Sequence, residues 1–154
     1  MREKQLIDLF GLVPHPEGGF YAENFRSGIS VELGGQARQA GTHIHYLLPR
    51  EGISRWHRID SDELWHLYEG GPLVLHLVSK DFSEYRQQVL AAGRTYMTVV
   101  PAGTWQAAHS PEQYSLAGCT VVPGFEFAEF VLLRECAAEK QRLLQRYPEA
   151  GFLL

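Results

Sequence analysis

Two residues of proton-moving type sit where adjacent strands would bring them together. They are His57 and Glu63, in Arg55-Trp56-His57-Arg58-Ile59-Asp60-Ser61-Asp62-Glu63. Read as a strand, Ser54–Ile59 puts Arg55, His57 and Ile59 on one face, and Glu63, Trp65 and Leu67 share a face of the next strand. If those faces point into a barrel, Arg55, His57, Glu63 and Trp65 line one cavity. An imidazole and a carboxylate among apolar side chains are costly unless paired or used. Polar groups converging in a barrel mouth therefore point to a ligand-binding or catalytic pocket. The competing arrangement is a buried Arg55–Glu63 ion pair with His57 as a hydrogen-bonding bystander.

The chemistry open to this set is proton transfer or metal binding. As a base, His57 needs a neutral imidazole with one nitrogen free and the other held by a hydrogen bond. Glu63 is the group expected to hold it. A zinc or iron site needs about three good ligands, and only His57 and Glu63 qualify, since the amide of Gln106 is a poor donor. Thr42-His43-Ile44-His45 offers two more histidines on one strand face, where hydrogen-bonded surface histidines are the favoured reading. No metal or other cofactor is therefore expected, and a bound divalent metal is the alternative. His66 alternates with Trp65 and should face away from the cavity. His76 would face inward, opposite Trp65, if Gly70-Gly71 closes a two-residue hairpin.

The elements that must position these residues are short. Residues 3–12 read as a helix stopped by Gly11 and Pro14. His15-Pro16-Glu17-Gly18-Gly19 is a turn, Phe20–Phe25 a strand, and Gly28–Gly41 a loop or weak hairpin. Strands are then expected at Thr42–Leu48, Ser54–Ile59, Glu63–Tyr68, Leu73–Val78, Tyr85–Leu90, Tyr96–Val100, Tyr114–Val122 and Glu126–Leu133, with Pro or Gly in most gaps. That rhythm predicts an all-β sandwich or barrel. Arg134–Tyr147 has the composition of a closing helix. With no repeat or linker, residues 1–154 read as one domain.

Composition narrows the classes. The chain has 154 residues, 45% of them hydrophobic, with a net charge of −4, the balance of a globular domain with a real core. That charge and a pI near 6.0 speak against nucleic acid, which needs clustered Lys and Arg. No apolar run reaches the roughly 18 residues of a membrane span. Cys119 and Cys136 are too few for a disulfide framework, which fits a reducing cytoplasm. Phosphate-binding glycine loops and the nucleophile elbow are absent.

The chain resembles the small single-domain cupins of the Cupin 5 family, a family of unknown function. The matching stretches are His15-Pro16-Glu17-Gly18-Gly19-Phe20-Tyr21-Ala22-Glu23, Ser54 to His66, Val100-Pro101-Ala102-Gly103-Thr104-Trp105-Gln106-Ala107-Ala108 and Gly118 to Phe125. In cupins the first motif reads Gly, five residues, His-x-His, three or four residues, Glu, six residues, Gly. Here His57, Glu63 and Gly70 fill their places and Ile59 occupies the second His position. In the second motif, Gln106 stands where a His is expected. The resemblance implies a double-stranded β-helix, the cupin jelly roll, with short terminal helices, usually paired as a homodimer. An unpaired edge strand points to the same pairing. Glu17 to Glu23 is also distantly similar to a segment of the deoxysugar-nucleotide 3,5-epimerases, cupins that use a His base without metal. Their catalytic Lys has no counterpart in this chain. The preferred reading is a small polar ligand, sugar- or nucleobase-like, in the barrel mouth. Epimerase or isomerase chemistry by His57 and Glu63 extends it, with Arg55, Trp65 and Gln106 contacting the ligand. The alternatives are a metal-dependent oxygenase or isomerase and a binding module without chemistry.

Overall fold

The computed structural model describes residues 1–154. Helix α1 (Arg2–Phe10) precedes strands β1 (Val13–Pro14), β2 (Phe20–Arg26), β3 (Ser30–Leu33), β4 (Gln36–Gln39), β5 (Thr42–Leu48), β6 (Ile53–Arg58) and β7 (Asp62–Gly70). Strands β8 (Leu73–Val78), β9 (Tyr85–Leu90), β10 (Met97–Val100), β11 (Trp105–His109), β12 (Ser115–Val122) and β13 (Val131–Leu132) follow, then helix α2 (Ala137–Arg146). Two antiparallel sheets, ordered β1-β2-β5-β12-β7-β10 and β13-β6-β11-β8-β9, face each other. The hairpin β3–β4 stands apart as its own small sheet.

Each sheet buries side chains on both faces, for different reasons. Between the sheets, Tyr46, Leu48, Trp65, Leu67, Leu73, Leu75 and Leu77 fill one end of the barrel. The outer face of the first sheet is covered by α1, whose buried Leu6 meets Leu47 and Leu116. That helix stops where Gly11 takes the left-handed conformation (φ 62°) and its N–H caps Ile7. The outer face of the second sheet is covered by α2 and the 3₁₀ turn Pro148–Leu153, with Leu143, Ala150 and Leu153 on Trp56, Val78 and Trp105. The Trp56 indole donates to the Ala150 carbonyl at 2.9 Å and fastens the tail.

Two sequence expectations are corrected here, and the open orientation of His76 is decided. β11, the central strand of the second sheet, falls in the stretch read as motif and loop; its Gln106, Ala107 and Ala108 lack the β-branched signature. Residues 126–133 are not a strand but a 3₁₀ turn, Phe127–Glu129, ahead of a two-residue strand. Phe125, Phe127 and Phe130 pack on one another there, at ring separations of 4.9 to 6.2 Å. His76 faces outward, because β7 and β8 belong to different sheets and Gly70-Gly71 is no hairpin. Elsewhere the agreement is close: Thr42–Leu48, Leu73–Val78 and Tyr85–Leu90 are strands over those residues.

Candidate functional site

The end of the barrel that the core leaves open holds a cavity of about 260 Å³. Ile44, Glu63, Cys119 and Val121 reach it from the first sheet, and His57 and Ile59 from the strand opposite. The turn His15–Gly19 and the segment Phe125–Phe130 close its sides. That segment is moored by Phe125 N–H to the Thr42 hydroxyl at 3.0 Å, by Arg26 to the Phe125 carbonyl at 2.9 Å, and by buried Arg38 to the Gly124 carbonyl and to Glu129.

His57 is only 2% exposed. Its Nδ1–H donates to the Arg55 carbonyl at 2.7 Å, which sets the tautomer. Nε2 then faces Glu17 Oε2 at 3.2 Å. The imidazole nitrogen and the carboxylate oxygen thus face one another at ion-pair range in the cavity wall. Glu17 is held in turn by the Ser54 hydroxyl, which donates to Oε1 at 2.8 Å. The turn that delivers Glu17 requires glycine at position 18, where φ is +113° and a Cβ would lie 2.2 Å from the Ile53 carbonyl. His15 approaches Glu17 Oε2 at 3.6 Å, but its Nδ1 already accepts the Glu17 backbone N–H at 3.2 Å. It is therefore a neutral ring wall, in keeping with burial that pushes its pKa down.

Glu63 is buried across the cavity, and burial lifts its pKa to about 7, against the pull of His57. Gln106 donates to its Oε2 at 2.6 Å, while the Trp65 indole donates to the other end of the Gln106 amide at 2.9 Å. Burial next to Glu63 drives the Cys119 thiol well up, so it stays protonated and inert.

Of the residues singled out from the sequence, the structure brings His57 and Glu63 to the cavity wall and leaves Arg55, Trp65 and Gln106 out of it. Arg55 shares the face of His57, but the His15–Gly19 turn lies over it. Its backbone N–H bonds the Glu17 carbonyl at 2.8 Å and its guanidinium reaches the same oxygen at 3.4 Å. Trp65 is stacked edge-on against Tyr46 in the core, with ring centroids 5.5 Å apart. Gln106 lies one layer below Glu63. These last two orient Glu63 from outside the cavity lining. Glu63 does not hold the His57 nitrogen either; the Arg55 carbonyl and Glu17 do. Glu17, His15 and the three phenylalanines went unrecognised in the sequence. The one signal for Glu17 was the His15-Pro16-Glu17-Gly18-Gly19 resemblance, since a turn glutamate has no strand parity to betray it.

The donor set does not suit a metal. No group of three or more His, Cys, Asp and Glu side chains converges closely enough to hold an ion. His43 bonds Thr120 at 2.9 Å and Tyr68 at 3.2 Å, and His45 bonds Asn24 at 3.2 Å, all on the outer face of the first sheet.

Two facing antiparallel sheets with a polar pair in one open end define a cupin barrel. The chain belongs to the Cupin_5 family of the cupin superfamily (DUF985), whose model matches residues 4–133. It is similar to a hypothetical protein from Leishmania major, at 31% identity over 97% of this chain and 94% of that one, with a TM-score of 0.82. Protein SO0799 from Shewanella oneidensis is similar at 30% identity over 97% and 92%, with a TM-score of 0.81. The uncharacterized protein YML079W of Saccharomyces cerevisiae is 29% identical over 151 residues, covering 85% of this chain and 75% of that one. An oxalate decarboxylase from Bacillus subtilis, at 15% identity and a TM-score of 0.60, shares the fold. No helix here is long and apolar enough to cross a membrane.

Proposed function

We propose that this cupin binds a small polar ligand, sugar- or nucleobase-like, in the barrel mouth and shifts a proton on it without metal, as isomerases and epimerases do. The observation that carries this reading is the pairing of His57 with Glu17 in the same cavity as a protonatable Glu63. Two acid–base units facing one apolar space can remove a proton from one position and return one to another. In one direction the Glu63 carboxylate takes the ligand's proton while the imidazolium form of His57, facing Glu17, gives one up. In the reverse direction His57, backed by Glu17, is the base and Glu63 the acid. Protons balance without a second substrate. A Glu63 pKa near 7 keeps both of its forms populated at neutral pH.

The same reading takes the chain as a homodimer in a reducing cytoplasm. The unpaired edges at β1, β10, β9 and β13 and the free thiols Cys119 and Cys136 support this. Light scattering that gives the 17.4 kDa of one chain at micromolar concentration would reject the dimer.

The test begins with a thermal-shift panel of sugars and nucleobases. A ligand at about 100 times its Kd adds roughly 2.7 kcal/mol of stability. Deuterium uptake from heavy water into the best ligand is then expected, and is lost in Glu17→Gln and Glu63→Gln. Binding without uptake would leave a binding module. Stoichiometric metal in tag-free protein, lost together with activity in His57→Asn, would establish the metal-dependent alternative.

A further inference from the structure

The charges around the cavity restrict what can enter it. Four glutamates line it, Glu17 and Glu63 inside and Glu23 and Glu126 towards the mouth, and of these only Glu63 is held towards its neutral form. Arg26 is the single cation in the lining, and it is fully engaged. Its Nε and Nη2 grip Glu23 at 2.7 and 2.9 Å, Nη1 reaches Glu126 at 3.2 Å, and Nη2 also donates to the Phe125 carbonyl. No lysine lines the cavity, and Arg55 stays beneath the His15–Gly19 turn. A phosphate or carboxylate would enter a field of its own sign and find no free cation to clamp it.

The walls favour a different guest. The Phe130 ring lies 5.4 Å from that of His57 at a 32° tilt, and Phe127 stacks on His15 at 6.1 Å. Aromatic faces hold planar rings, and their negative quadrupole attracts cations. A volume of about 260 Å³ lies just under the roughly 300–1,000 Å³ of drug-sized sites. It admits one ring system with a substituent, not a sugar nucleotide.

We infer that the site selects a compact ring compound, uncharged or cationic and carrying N–H or O–H donors for Glu17 and Glu63, and rejects phosphorylated or carboxylated molecules. The inference rests on the cavity being the binding site proposed above. It narrows that reading, and it sets aside the sugar-nucleotide substrates that the epimerase resemblance brought in.

The test uses three probes of nearly equal shape, benzylamine, benzamide and benzoate, titrated into the full chain and followed by calorimetry and the His57 ring signals in NMR. Benzylamine and benzamide are expected to bind at least tenfold more tightly than benzoate. In the double variant Glu23→Gln/Glu126→Gln, Arg26 is released and the preference should fall tenfold or invert. Arg26→Gln should instead widen it. Benzoate binding as tightly as the amine in the wild type overturns the inference. So does a preference that neither variant moves, and so does failure of all three probes to bind at millimolar concentration. Deuterium uptake is read separately, so selective binding without exchange removes the proposed chemistry and leaves the selectivity standing.

Discussion

His57 and His76 lie on strands that flank β11 in the same sheet, and both are 2% exposed. They point to opposite faces. His57 meets an open cavity and a carboxylate. His76 is sealed beneath the C-terminal tail, where its Nδ1 meets the Tyr85 hydroxyl at 2.6 Å and its Nε2 the ring of His109 at 2.9 Å, with Phe152 edge-on at 5.9 Å. Burial and the neighbouring His109 push its pKa down to about 4. No carboxylate or cation bonds His76, and it lies outside the cavity that His57 lines, so its role is packing and hydrogen bonding. Burial alone therefore does not mark a working histidine. A charged partner and an adjoining void together do.

The largest effect should separate the two residues outright. His57→Asn is expected to cut deuterium uptake by about 10²–10⁴, the usual worth of a general acid or base, with little change in melting temperature. His76→Asn should leave uptake intact and lower the melting temperature. Loss of exchange in both variants would break the comparison.

Next comes the tail that seals His76. Trp56→Ala should destabilise by about 3–5 kcal/mol, because the indole both fills the outer core and donates to Ala150. Chemical denaturation measures this, and faster hydrogen exchange in α2 should accompany it.

The two faces should also respond to pH with opposite sign. Below 6.5 the unfolded chain protonates His76, while the folded chain resists until about 4. Its contribution to stability is therefore lost as pH falls through that window. Glu63 is held protonated in the fold up to about 7, against an ordinary 4.5, so its contribution is lost as pH rises. Each amounts to about 3 kcal/mol at the far end of its window. In the wild type the slopes offset one another where the windows overlap. His76→Phe should unmask stability that falls with rising pH, and Glu63→Gln stability that rises with it. Urea midpoints across pH 4 to 7, about the span of the two shifts, decide it; parallel profiles would contradict both assignments.

The smallest effect belongs to Arg55. Arg55→Ala should change ligand affinity by less than about 1 kcal/mol, as for a residue outside a contact core, because the His15–Gly19 turn screens it from the cavity.

These contrasts also explain what the sequence could disclose. Strand parity located Glu63 and its inward neighbour Trp65, because alternation is a local property of extended backbone. It brought His57 to the cavity but did not reveal that Arg55, two residues earlier, is roofed by a turn from far along the chain. The direction of His76 stayed conditional, because Gly70-Gly71 looks like a hairpin and nothing local tells a hairpin from a crossover between sheets. Phe125 and Phe127 alternate like a strand, and Phe130 breaks the alternation. Their 3₁₀ turn follows from mooring by Arg26, Arg38 and Thr42, contacts separated by 83 to 100 residues.

The amide of Gln106 is committed at both ends, to Trp65 and to Glu63. That double commitment constrains how the protein can evolve. A side chain at 106 that cannot accept at one end and donate at the other, such as Gln106→Leu, orphans a buried partner at about 1–3 kcal/mol. Trp65, Gln106 and Glu63 therefore behave as one unit, so a change at any of the three is felt by the other two.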